Sequence, residues 1–276
     1  MARARMIRDV LSLGRTHRYG PDRSQRAELH LPASGRGRPD GAAHPVMVLI
    51  HGGSWRKRYG KIVMRALAGD LTRRGWAVWN IEYRRVGNGG GWPATFADVA
   101  AAIDELGSLD AGLDLSRVSV LGHSAGGHLA LWAAGRAKLP QGAPGAIDGE
   151  PRVRFRQVIS QAGVCDLVGA YREWDSSAVG DLMGGSPEQL PERYAVANPI
   201  SNVPLDVPVL LVHGVLDETV SIKRSRDYAA AVLAAGGEVE LVEIEGEAGR
   251  HRAHIDPRGA AWAAVTRRLE RPLAPA

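Results

Sequence analysis

Ser124 stands in the pentapeptide Gly122-His-Ser-Ala-Gly126, directly after the apolar run Val118-Ser-Val-Leu121 and at the head of a helix-like stretch, Ala125 to Ala137. A serine set on a sharp bend between a buried strand and a helix projects its hydroxyl, and the helix N-terminus behind it favours developing negative charge. The chemistry open to such a group is nucleophilic attack on a carbonyl carbon. The plainer alternative is a glycine-rich turn in which Ser124 merely caps the helix. A second segment, His51-Gly-Gly-Ser-Trp55, follows the solid apolar run Val46-Met-Val-Leu-Ile50. Two adjacent glycines leave backbone N–H groups unobstructed, and such donors hold the oxyanion of a tetrahedral intermediate. The N–H of Ala125, next after the serine, is the expected partner donor. A tight turn with no chemical task is again the alternative.

A serine needs a base, and the base needs a carboxylate to orient it. His213-Gly-Val-Leu-Asp217 lies just past the apolar run Val207–Val212, which puts Asp217 at a strand's carboxyl end, where sites form in α/β sheets. Asp166, after the strand-like Arg156–Ser160, competes for the same role. His213 reads as a prop for the loop. Two histidines follow the last strand-like segment, His251 and His254. Spacing leaves both open. His254 lies two residues before Asp256-Pro257, which resembles the N-cap and first residue of a final helix.

The elements that must hold these groups alternate along the chain. Strand-like segments at 26–32, 46–50, 76–81, 118–121, 156–160, 207–212 and 238–244 are interleaved with helical spacing at 62–74, 93–106, 125–137, 225–235 and 257–269. That rhythm predicts an α/β fold, a mostly parallel twisted sheet with helices on both faces. Residues 1–24 carry little pattern and are expected to form an N-terminal arm before a single domain spanning 25–276. A gly- and pro-rich stretch at 33–45 predicts a loop. Residues 166–205 break the rhythm and predict a short cap-like insertion of helices above the sheet.

Composition narrows the rest. The chain has 276 residues, 45% hydrophobic and 24% charged, with 35 cations against 30 anions and a net charge of +5. Those values fit a globular chain and exclude a mainly disordered one. One cysteine, Cys165, cannot close an internal disulfide. Only four cations are lysines, and the arginines are scattered without a dense basic block, so no nucleic-acid partner is expected. No apolar run reaches the ~18 residues of a membrane span or forms a signal-peptide core, so no membrane partner and a cytoplasmic location are the expectations. No His-Glu-x-x-His or paired-cysteine spacing calls for a metal, and a serine mechanism needs no cofactor. The oligomeric state is left open.

The order Ser124, Asp217, then His251 or His254 matches that of the α/β-hydrolase superfamily. The sequence resembles its small bacterial members of the esterase, acylaminoacyl-peptidase and kynurenine-formamidase type. The residues carrying the likeness are His51–Trp55, Glu82-Tyr-Arg-Arg85, Gly89-Gly-Gly-Trp-Pro93, Gly122–His128, His213–Asp217 and Ile255-Asp-Pro257. The resemblance implies an α/β-hydrolase fold and a Ser-His-Asp triad hydrolysing a small carboxylic ester through an acyl-enzyme. It implies His251 as the base, five residues before the Asp of Ile-Asp-Pro, although Arg252 stands where relatives have phenylalanine. It also maps the oxyanion donors onto Gly53 and Ser54, beside Ala125. A formamide or acylaminoacyl amide is the alternative substrate class. A fold of this type without turnover, serving as a binding protein, is the alternative of another kind. Trp55, Trp92, Trp174 and Met183 are candidates to line an aromatic or acyl pocket, although each reads more readily as core or lid packing.

Overall fold

Val46-Met-Val-Leu-Ile50 is apolar at every position because both faces of that strand are covered. The computed structural model describes residues 14–33, 42–174 and 177–271. Its strands are β1 (Arg15–Arg18), β2 (Arg26–His30), β3 (His44–Ile50), β4 (Ala77–Ile81), β5 (Leu113–His123), β6 (Phe155–Gln161), β7 (Val209–Gly214) and β8 (Val239–Ile244). They form one eight-stranded sheet ordered β1-β2-β4-β3-β5-β6-β7-β8. The pairs β1–β2 and β2–β4 are antiparallel, and the others are parallel.

Alternate side chains of the central strands enter two cores. Val46, Val48 and Ile50 face one with Val120 and Val158, beneath α2 (Ala94–Leu106) and α3 (Ala125–Ala134). Met47 and Leu49 face the other with Leu121 and Ile159, beneath α1 (Arg65–Arg73) and α8 (Ala260–Glu270). Helix α1 offers Leu67, Ala68 and Leu71 to that core, the spacing of one helical face. The indole N–H of Trp262 on α8 donates to Asp70 Oδ2 at 2.8 Å, tying the two helices together. Helix α2 buries Phe96, Val99, Ala100 and Ile103, the face read from its sequence.

Register fixes where the chemistry falls. Ile50 pairs with Ile81 and with Gly122, His123 with Gln161, Gln161 with Val212, and Gly214 with Ile244. The carboxyl ends of β3, β5, β6, β7 and β8 therefore share one rim. The segments following them carry His51–Trp55, Ser124, Asp166, Asp217 and His251.

Three differences from the sequence reading have physical causes. Residues 15–18, expected within an N-terminal arm, form the edge strand β1, while residues 1–13 of that arm lie outside the described residues. Its Arg-Thr-His-Arg sequence carries no apolar signature because it is held by backbone pairing with β2, and charge suits an exposed edge. The final helix begins at Ala260 with Gly259 as its N-cap, not at Asp256-Pro257. There Asp256 accepts the N–H of Arg258 at 2.9 Å, closing a side-chain turn ahead of the helix. Residues 34–41 of the expected loop lie outside the described residues, and β3 starts already at His44.

The stretch 166–205 supplies α4 (Leu167–Glu173), α5 (Ser177–Met183), α6 (Pro191–Ala197) and a 3-10 turn at Pro199–Asn202, with residues 175–176 outside the description, and α7 (Lys223–Ala234) joins β7 to β8. Leu167, Ala170, Val179, Leu182, Tyr194 and Ala197 share the core beneath α2 and α3. Helix α3 consequently has apolar or small residues all round apart from the buried His128, since it is covered by the sheet and by this segment.

Candidate active site

Ser124 has φ 57° and ψ −122°, a left-handed backbone that costs a non-glycine residue on the order of 1–3 kcal/mol. The surroundings enforce it. Its N–H donates to the Gln161 carbonyl at 2.9 Å, and its own carbonyl accepts from His128 N at 3.1 Å. On either side, a Cβ on Gly122 would collide with the backbone of Gly126, and one on Gly126 with the Ile50 carbonyl. The Gly-x-Ser-x-Gly spacing is thus a steric requirement of the bend. The side chain of Ser124 makes no capping bond to helix α3. That removes the plainer reading of the serine as a helix cap.

The turn after β3 lies against this bend. A Cβ at Gly52 would stand 2.6 Å from the His123 carbonyl oxygen and 2.9 Å from Ser124 Cβ, so no side chain fits there. Gly53, Ser54 and Trp55 all have positive φ, at 118°, 51° and 55°. The N–H groups of Gly53 and Ser54 donate to no acceptor among the described residues. Ala125 opens α3, so its N–H has no partner within the helix. His51 anchors the turn from below. Its Nδ1 bonds the Gly52 carbonyl and its Nε2 bonds Glu82 Oε1, both at 2.8 Å, while its ring stacks on Tyr83. Burial alone would raise the Glu82 carboxyl, but His51, Arg85 and the Lys61 N–H hold it down to about 2.

Asp217 and His251 are bonded to each other, Nδ1 to Oδ2 at 2.8 Å. The other carboxylate oxygen of Asp217 accepts the N–H groups of Thr219 and Val220 at 2.8 and 2.9 Å. Burial works to raise this carboxyl, yet the bonds from His213 and His251, the charge of His251 and the Val220 N–H hold it well below the usual carboxylate range. It is an anion throughout the neutral range. With Nδ1 donating to that anion, a neutral His251 ring keeps Nε2 as an acceptor. His213 does prop the loop, donating from Nε2 to the Val220 carbonyl at 2.8 Å and meeting Ser225 Oγ at 2.7 Å on its other side.

His123 connects the two halves. Its Nε2 donates to the His251 carbonyl at 2.9 Å, and the two rings lie 4.7 Å apart. The neighbour of Ser124 thereby holds the loop that carries His251. The sequence reading missed His123, which occupies the variable position of the pentapeptide, and it missed the anchoring by Glu82. Its only signal for Glu82 was the Glu-Tyr-Arg-Arg string. The competitors are placed elsewhere. His254 is sealed from solvent, and neither of its ring nitrogens has a hydrogen bond. Asp166 caps α4 through Gly169 N at 3.0 Å and pairs with Arg224 at 3.0 Å, so its carboxylate is committed to the inserted helices.

The expected pocket lining needs correction. Trp55 and Met183 are 1% and 0% exposed and belong to the core. Trp55 is drawn inward because its indole N–H donates to His128 Nδ1 at 3.3 Å. Trp92 packs edge-on against Phe96, and Trp174 closes α4, both partly buried against the same core. Among the described residues no group of three or more His, Cys, Asp or Glu could hold a metal ion. Among the same residues no helix is long and apolar enough to cross a membrane.

Buried histidines make stability depend on acid. Burial pushes His128 and His254 from 6.5 down to about 4. Between those values the unfolded chain binds protons that the folded one refuses, so these two rings withdraw stability as pH drops from 6.5, and their own contribution levels off below about 4. Each ring is worth up to about 3 kcal/mol over that window. Equilibrium unfolding at pH 7, 5.5 and 4.5 should show this slope. His254→Leu, which removes one of three such rings, His123 being the third that burial holds well below 6.5, should flatten it by up to about a third, and an unchanged slope would contradict the assignment.

A mostly parallel sheet with the serine on a strained bend after a central strand, and a carboxylate-bound histidine beyond the last strand, defines an α/β-hydrolase fold. The chain belongs to the BD-FAE family, whose model matches residues 31–232. Among curated proteins it is similar to two from Mycobacterium tuberculosis. Esterase LipC is 25% identical over 73% of this chain, and Esterase LipQ is 30% identical over 72%. The chain spans about half the length of these relatives, 52% and 49%. Among solved structures, a truncated carbohydrate esterase from gut microbiota superposes with a TM-score of 0.77 at 22% identity, over 93% of this chain and 95% of that one. A thermophilic esterase of Thermogutta terrifontis gives 0.72 at 22% identity, over 93% and 92%. At that identity both speak for the fold.

Proposed function

We propose that the chain is a carboxylic ester hydrolase that works through a serine acyl-enzyme. The observation that carries this reading is the His251–Asp217 hydrogen bond, on a loop tied by His123 to the strained bend of Ser124. Ser124 Oγ attacks the ester carbonyl carbon while His251 Nε2 takes its proton. Asp217, already an anion, keeps the ring oriented and compensates the imidazolium that forms. The unpartnered N–H groups of Gly53, Ser54 and Ala125 receive the oxyanion. The tetrahedral intermediate then collapses, and His251 returns the proton to the departing alcohol. Water, deprotonated by the same ring, attacks the acyl-enzyme and releases the acid with Ser124 restored. The esterase names of the curated relatives support the ester as substrate class.

The test is a substrate panel. Short p-nitrophenyl esters should be turned over by the folded chain with a pre-steady-state burst of about one equivalent of nitrophenol. N-formylkynurenine and aminoacyl anilides belong in the same panel, and faster hydrolysis of either would move the substrate class to amides. A folded protein that turns over none of them, with no burst, would make this a binding protein.

A further inference from the structure

Beside the β1–β2 turn and the segment after β4 lies a surface cavity of about 350 Å³. None of Ser124, Asp217 and His251 lines it. Its walls come from three separate segments and bring Arg23, Arg26, Lys57 and Arg85 together around one carboxylate, Glu82. That leaves three positive charges in excess. The one carboxylate is already spent. Its Oε1 accepts from His51 Nε2 at 2.8 Å, Tyr83 N at 3.2 Å and Arg85 at 2.7 Å, and its Oε2 accepts from Lys61 N at 3.1 Å.

The cations are correspondingly under-used. The side chains of Arg23, Arg26 and Lys57 make no hydrogen bond or ion pair among the described residues. Arg85 is buried. One of its terminal nitrogens serves Glu82 and the Tyr59 carbonyl, while its Nε is shut away from solvent without an acceptor. A buried donor left so costs about 1–3 kcal/mol, and more when it carries charge. Groups of this kind in native structures need an explanation, a bound water or ion being one. Ser24 Oγ, also in the wall, accepts from Asn88 at 3.1 Å and so keeps its own hydrogen to donate. Gly87 belongs to the same design. A Cβ there would stand 3.0 Å from Lys57 Cδ, so the glycine lets the lysine stem lie along the wall.

We propose that this cavity is a binding site for a small anion, one compact oxyanion group of the phosphate or carboxylate type, distinct from the Ser124 site. Arginine forks and a lysine lining one cavity match the oxygens of such a group, and the volume lies at the small end of the roughly 300–1,000 Å³ range of ligand sites. The reading is independent of ester hydrolysis, since it is tested by binding alone.

Calorimetric titrations with inorganic phosphate and with succinate, at ionic strength held constant with sodium chloride, separate the two sources. Saturable one-to-one binding of at least one of them is expected, weakened tenfold or more in Arg26→Gln/Lys57→Gln. The charge-matched control Arg172→Gln/Arg267→Gln, away from the cavity, should bind as the parent does. Without anion, the cavity variant should melt no lower than the parent, because the two exposed side chains it removes hold nothing in the folded chain. Binding of phosphate alone marks a phosphoryl site, and of succinate alone a carboxylate site. Absence of saturable binding to the parent protein overturns the proposal. So does a loss of equal size in the control, which would reduce the effect to net charge.

Discussion

Replacing Ser124 by alanine should lower kcat for a p-nitrophenyl ester on the order of 10⁶-fold, the scale on which serine hydrolases lose activity with their nucleophile. The argument is geometric. The backbone at Ser124 is held left-handed by its bonds to Gln161 and His128 and by contacts of Gly122 and Gly126 that tolerate no side chain. Alanine has the same Cβ and meets the same restraints, so the bend and the free amides after it survive. Only the hydroxyl goes, and it makes no capping bond whose loss could unfold the helix. The variant should therefore melt within about 1 kcal/mol of the parent, the range of mild substitutions. A fluorophosphonate probe should label the parent on Ser124 and leave the variant unlabelled. Equal labelling of both proteins, or of neither, would remove Ser124 from the mechanism.

The second large effect separates two histidines only three residues apart. His251→Ala should cost on the order of 10⁵–10⁶-fold in kcat, since without its base the serine is no better activated than in water. Asp217→Asn should fall less far, about 10⁴-fold, by presenting the imidazole in the wrong tautomer. His254→Leu should stay within about tenfold of the parent, because His254 contacts Asp217 through no hydrogen bond and is closed to solvent. Assayed together on one ester, the three variants form a ranking. If His254→Leu were the inactive one and His251→Ala retained turnover, the proposed roles would be exchanged. His251→Ala also leaves the His123 bond in place, because that bond reaches the His251 main-chain carbonyl. The loop should therefore keep its position, and the loss should appear in kcat more than in KM.

Much of the architecture was legible because sheet burial writes itself into composition. Val46–Ile50 and Val207–Val212 are uniformly apolar since parallel strands are covered on both faces, and alternation with helical spacing followed. The edge strand β1 was illegible for the opposite reason: it is charged, mostly exposed and held mainly by backbone pairing, with His17 edge-on to Trp79. The site was legible where backbone geometry demands glycine. Gly52, Gly122 and Gly126 each pass within contact of another chain segment, so their spacing marks the bends before any fold is known. It was less legible where the deciding partner is remote in sequence. Trp55 looked like a pocket wall beside the oxyanion turn, but His128, 73 residues away, draws its indole N–H into the core. Asp166 was the competitor to Asp217 in the sequence, and Arg224 and the inserted helices claim its carboxylate.

The sequence by itself determined the two-sided sheet, the order of serine, acid and histidine along it, and the tight turns that cannot carry side chains. Those properties are local, set by burial period and by steric limits within a few residues. Only the tertiary structure decided that His251 rather than His254 meets Asp217, that His123 fastens that loop to the serine bend, and that four cations gather around a carboxylate already in use. Such pairings depend on distances between side chains far apart in the chain, and one-dimensional spacing carries no information about them.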